Sequence, residues 1–246
     1  MKYHDFEGDA AELIERNLSD VERDEGVRIL RAVESGSRAW GFASPDSDYD
    51  VRFIYIRPLA YYLSLRPDKK DTIEWVVDET LDICGWDISK ALTLARKGNV
   101  YLFEWSSSPV VYRNTDDWQL VWETVQHYFS RKAALHSYFG VASNTERDFL
   151  RGDNVRYKKY LYAVRPLLAC KYIEELGSWP PVAFDKLVEA VAEDNLKPAI
   201  RLLLDRKSEM DEKDEGPRIS EIDSFVEWGL DRYGKLAASQ IGRAHV

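Results

Sequence analysis

Residues Val27 to Ile56 constrain the fold most, because two strand-type runs there flank a turn that few residue orders permit. Val27 to Val33 (VRILRAV) alternates apolar and polar side chains, which suits a half-buried strand better than a helix. The run stops at Gly36, which can adopt backbone angles closed to other residues. Ser37 is placed to cap a short helix through Arg38, Ala39 and Trp40 that ends near Gly41. After a loop at Pro45, Asp46 and Ser47, Tyr49 to Ile56 is rich in β-branched and aromatic residues and reads as a second strand. A strand that feeds a helix N-terminus leaves N–H groups for an anion, although most Gly-Ser pairs are ordinary turns.

Asp48 and Asp50 stand at the opening of the second strand, and side chains two apart share a face. At the usual rise their Cα atoms are about 6.6 Å apart, within reach of one or two metal ions. Magnesium favours a few carboxylates plus phosphate oxygens, which such a pair would supply. Taken alone, Asp-x-Asp is more often a solvated strand start; the strand, turn and strand context makes it a candidate site.

The order G-S-x-x-x-G-x-x-x-x-D-S-D-Y-D, here Gly36, Ser37, Gly41, Asp46, Ser47, Asp48, Tyr49 and Asp50, resembles the signature of the DNA polymerase beta nucleotidyltransferase superfamily. Three further stretches, LDICGWDISKAL at 81–92, EWSSSPVVY at 104–112 and KKYLYAVRPLLA at 158–169, resemble its RNA-repair-associated branch, found with RNA ligases. The similarity spans most of residues 25–175. It implies an α+β fold, with a small mixed-sheet, polymerase beta palm-like nucleotidyltransferase domain followed by a helical domain.

The resemblance also implies a third carboxylate on a neighbouring strand. Thr72 to Val77 and Thr80 to Cys84 read as a hairpin joined at Asp78 and Glu79, and Asp82 lies in its second strand between Leu81 and Ile83. Asp87 competes but suits the N-cap of the helix ISKALTLARK, and Glu74 is a weaker third choice. Catalysis would then rest on Asp48, Asp50 and Asp82, which would hold two magnesium or manganese ions about 3.5 to 4 Å apart. In-line attack on an NTP is largely a matter of positioning and electrostatic stabilisation. Gly36 and Ser37 would hold the β and γ phosphates, and Arg38 is either a cationic helper or a surface arginine.

Beyond Asn114, helical periodicity takes over at 116–129, 131–149, 155–176, 182–192, 196–210 and 218–237. The expected division is therefore a nucleotidyltransferase domain at 1–113 and a helical domain at 114–239. Residues 240–246 (QIGRAHV) match a reading frame of a common sequencing adapter and are set aside as an artefact. Lys158, Tyr162 and Arg165 share one helical stripe, with Pro166 expected to disturb the helix just beyond. From Arg147 to Lys171 seven Lys or Arg stand against two Asp, so this stripe is either a nucleotide- or acceptor-facing surface across the cleft or a balanced helix face.

The whole chain of 246 residues carries a net charge of −9, which argues against long tracking along duplex DNA and so against a templated polymerase. An NTP donor with an RNA 3′ end or a tRNA as acceptor, linked to an RNA ligase, is the expectation. Modification of a protein or a small molecule is the second enzymatic reading, and a nucleotide-binding module without catalysis is the reading of another class. Two cysteines, Cys84 and Cys170, and a charged N-terminus suit a cytoplasmic protein with no membrane span. Trp40, Trp75, Trp86 and Trp105 read as core, and His4, His127 and His136 lack the spacing of zinc ligands.

Overall fold

The computed structural model describes residues 9–44, 47–65, 70–77, 80–209 and 215–241. The chain is α+β and falls into two compact units, Met1–Tyr128 and Phe129–Val246. The division lies after Tyr128 rather than after Arg113, because the segment in between completes the first unit. Strand β5 (Val111–Asn114) pairs antiparallel with β1 (Arg28–Glu34), and helix α6 (Asp116–Val125) buries Trp118 and Val125 against Leu30, Val33 and Ile54.

The first unit is built on one mixed five-stranded sheet, ordered β3-β4-β2-β1-β5. Strand β2 (Tyr49–Ile56) runs antiparallel to β1 and parallel to β4 (Leu81–Asp87), while β3 (Thr72–Val76) closes the edge antiparallel to β4. Apolar residues cover both faces. Helix α1 (Asp9–Glu25) lays Ile14, Leu18 and Val21 on one face, against Ile29, Ala32, Val51, Phe53, Tyr55 and Ile83. On the other face α4 (Ile88–Arg96), α5 (Val100–Ser106) and α6 pack against Leu30, Val33 and Ile54. A register shift in β1 between Ile29 and Arg31 lets neighbouring residues face opposite cores, so the whole strand after Arg28 is buried. The short helices α2 (Gly36–Trp40) and α3 (Leu59–Leu63) flank β2.

In the second unit α7 (Arg131–Phe149), α9 (Phe184–Val191), α10 (Leu196–Glu209) and α11 (Ser220–Ile241) surround α8 (Tyr157–Leu176). Strand β6 (Asn154–Arg156), just before α8, pairs with β7 (Glu215–Pro217). Helix α8 runs unbroken through Pro166 to Leu176, contrary to the expected disturbance. Leu161, Ala163, Val164, Leu167, Leu168 and Ala169 are all buried around the proline, and this packing outweighs the one lost backbone bond.

Asp46, Pro45, Asp78, Glu79, His4 and all but the first two residues of QIGRAHV lie outside the described residues. No described helix is long and apolar enough to cross a membrane.

Candidate active site

The site begins where β1 ends against β2. The Ser35 backbone N–H donates to Asp50 O at 2.8 Å, and the Asp50 N–H donates to Glu34 Oε1 at 2.8 Å, so the backbone of Asp50 is gripped on both sides. Gly36 then turns the chain with φ +59°, and a Cβ there would overlap Asp50 Oδ2. Glycine is thus required twice, by the backbone angle and by the carboxylate pressed against it. Helix α2 starts at Gly36 with Ser35 in the N-cap position, so Ser37 is not the cap; it lies inside the first turn with its side chain buried. Pairing with Asp50 keeps Ser35 extended and moves the helix start two residues upstream of the expected point. Gly41 closes α2 in the left-handed conformation, as its position in the sequence suggests.

Parallel pairing of β2 and β4 sets Asp50 directly beside Asp82. Burial alternates along β4, with Leu81 and Ile83 inside and Asp82 between them on the open face. One guanidinium ties the two carboxylates together: Arg52 Nη2 lies 3.0 Å from Asp50 Oδ1 and 2.8 Å from Asp82 Oδ2. Its Nη1 donates to the carbonyls of Val51 and Asp82 at 3.0 and 3.1 Å. Arg52 follows Asp50 by two positions on the same strand face, a relation the period of a strand makes readable. Asp48 is exposed on the loop just before β2.

Behind this face stands a buried acid. Glu34, 1% exposed, accepts from the Asp50 N–H through Oε1 and from the Tyr112 hydroxyl through Oε2 at 2.5 Å. Burial pushes its carboxyl up to about 7, against the pull of the Tyr112 and Asp50 hydrogen bonds. Burial, with the Glu34 charge beside it, likewise raises the Tyr112 hydroxyl. Tyr112 thus has a structural role that its sequence context alone does not supply, and Glu104 is buried in α5. Arg38 stacks 3.8 Å over the Tyr49 ring and donates to the carbonyls of Ser47 and Asp48 at 2.8 and 3.2 Å. It clamps the loop that presents Asp48. Ser47 is buried, its hydroxyl accepting from the Ser44 N–H at 3.0 Å.

The competing carboxylates lie elsewhere. Asp87 is buried and caps α4 through the Ser89 N–H at 2.8 Å, while Tyr62 donates to its other oxygen at 2.9 Å. Glu74 is exposed on β3, opposite Cys84. The structure therefore brings Gly36, Asp50 and Asp82 together, with Asp48 adjoining. Lys158, Tyr162 and Arg165 lie in the second unit on α8: Lys158 and Tyr162 are half-buried, whereas Arg165 is buried and donates to Val182 O at 3.4 Å. Much of the cationic excess around them is paired, Arg147 with Asp148, Arg156 with Glu215 and Lys171 with Glu193.

Asp50 and Asp82 suit a hard divalent cation, since each already turns an oxygen toward the one nitrogen of Arg52. Asp48 does not close a third side: among the described residues no group of three His, Cys, Asp or Glu side chains is gathered as a metal-binding set.

Residues 10–242 match the model of the RNA repair pathway DNA polymerase beta family. The chain belongs to that family. The match places it among polymerase beta-type nucleotidyltransferases of RNA repair. An uncharacterized protein, YcgL of Bacillus subtilis (strain 168), is 43% identical over 223 residues, covering 89% of this chain and 85% of its own. A crystal structure of a nucleotidyltransferase-like protein from Exiguobacterium sibiricum 255-15 aligns over 89% of this chain and 78% of that one, with 11% identity and a TM-score of 0.32.

Proposed function

We propose that this protein transfers a nucleoside monophosphate from an NTP to the 3′ hydroxyl of an RNA, with Asp48, Asp50 and Asp82 as its catalytic carboxylates. The observation that carries the reading is the juxtaposition of Asp50 and Asp82 in parallel register, with the Gly36 turn against the Asp50 carboxylate. Magnesium or manganese held by Asp50 and Asp82, with Asp48 on the adjoining loop, would activate the acceptor hydroxyl and stabilise the leaving pyrophosphate.

The residues divide the work by position. Asp50 has its backbone fixed by Glu34 and Ser35 and its Oδ1 fixed by Arg52, so its orientation is set before any ligand arrives. We assign the incoming acceptor to the side of the more exposed Asp82, 50% against 35% for Asp50, and the donor phosphates to the Gly36 side. Arg38 holds the loop before β2 and so fixes where Asp48 can reach. Lys158 and Tyr162, half-buried on α8, offer a cation and an aromatic ring to the phosphates of a long acceptor. Buried Arg165 would support α8 from within.

The test offers each α-labelled NTP, with magnesium or manganese, to short RNAs that end in a 3′ hydroxyl or a blocked 3′ end. Label should appear only on the open 3′ end and should vanish in Asp50→Asn and Asp82→Asn. Label that persists in both variants, or that goes to protein and never to RNA, would overturn the proposal.

A further inference from the structure

Arg52 enters the catalytic reading only as a clamp on Asp50 Oδ1, yet it reaches both carboxylates. It occupies the point where the carboxylates of two parallel strands converge, and it does so with a single nitrogen. The rest of the guanidinium is anchored independently, because Nη1 is committed to the carbonyls of Val51 and Asp82. The side chain is 18% exposed, and arginine does not leave such a position by losing its proton.

We infer that Arg52 is a resident cation that holds the seat between Asp50 and Asp82, so that the free protein binds a divalent ion weakly and needs the charge of a triphosphate to bind it well. The inference rests on the proposed function only for the identity of the incoming ion. With Arg52 in place, two carboxylates and one guanidinium leave a single negative charge at the junction. An ion that enters must either displace Nη2 or tolerate a fixed positive neighbour a few ångströms away, and either cost weakens binding. A nucleotide supplies additional phosphate oxygens and negative charge and shifts that balance. The arrangement also keeps two adjacent carboxylates from repelling each other before ligands arrive, which would otherwise destabilise the β2–β4 junction.

The experiment titrates manganese alone, without nucleotide, into the wild-type protein, Arg52→Gln and Arg52→Lys, and follows the free ion by electron paramagnetic resonance. Circular dichroism reports whether each variant is folded. Arg52→Gln should bind manganese about tenfold tighter than wild type or better, and Arg52→Lys, which keeps the charge, should stay within about threefold of wild type. Equal or weaker binding by Arg52→Gln would overturn the inference. So would saturation of the wild-type protein itself at about 10 μM manganese or less, a result that needs no variant to fold. Because no transfer is measured, failure of the RNA assay leaves this result unaffected, and the reverse also holds.

Discussion

Gly36 offers the sharpest perturbation, because two other glycines separate its two roles. Gly26, Gly36 and Gly41 all have positive φ, at +60°, +59° and +86°, so alanine at each pays the left-handed strain of about 1 to 2 kcal/mol. A Cβ at Gly26 or Gly41 would meet nothing within 4 Å, whereas one at Gly36 would overlap Asp50 Oδ2 and come within 3.1 Å of Cγ. Asp50 has little room to yield. Its N–H and C=O are bonded to Glu34 and Ser35, and its Oδ1 to Arg52. Gly36→Ala must therefore turn the carboxylate away from Arg52 or part the β1–β2 junction. Losing one such bond adds about 1 to 3 kcal/mol, so Gly36→Ala should destabilise by about 2 to 5 kcal/mol in all.

The larger effect falls on activity, since a catalytic group displaced by about 1 Å can lose on the order of 100-fold in rate. Urea unfolding and NMP transfer to RNA, measured on all three alanine variants, separate the two contributions. Gly26→Ala and Gly41→Ala should lose stability but keep transfer within about threefold of wild type once folded protein is counted, because neither touches Asp50. Equal transfer by Gly36→Ala and Gly41→Ala would refute the reasoning, since it would mean that the contact with Asp50 has no bearing on the reaction.

Three further outcomes follow from the same geometry. Tyr112→Phe leaves the buried Glu34 with the Asp50 N–H but without its hydroxyl donor, and should cost about 1 to 3 kcal/mol in urea unfolding. Arg38→Ala loses the stack on Tyr49 and two bonds to loop carbonyls; unfolding free energy should fall by about 1 kcal/mol, while transfer falls about tenfold as the Asp48 loop loosens. In the second unit the Glu174 carboxyl is held below its ordinary range, chiefly by the hydrogen bond from Arg232 and against a burial penalty. A depressed carboxyl stabilises above its unfolded pKa and loses that contribution as pH falls through its folded value. Arg232→Gln should thus be less stable than wild type by up to about 1 kcal/mol at pH 7, and thermal melts should show the gap closing as pH falls below the ordinary glutamate range.

Local pattern made most of the elements legible and left the supports of the site hidden. Asp48, Asp50 and the Gly36 turn stand together in one short stretch, so the candidate site can be picked out from the sequence. Asp82 is different: the alternation of Leu81, Asp82 and Ile83 shows that the acid faces away from the core, but only the β2–β4 register shows which acid it faces. Helix α1 carries Ile14, Leu18 and Val21 at spacings of four and three, a helical signal absent from the expectations above, and it packs these residues on one sheet face. Pro166 misleads in the opposite direction, because a local rule about proline cannot weigh packing on every side of α8. Glu34 and Arg52 are the instructive pair. A strand ending in glutamate and a strand carrying arginine are common and carry no chemistry by themselves. Each acquires a role only from what it meets, Glu34 from the Asp50 N–H and Arg52 from two carboxylates on separate strands. Residues that perform chemistry can be constrained by type and spacing, whereas residues that position them are constrained by contact, and contact is what folding adds to the sequence.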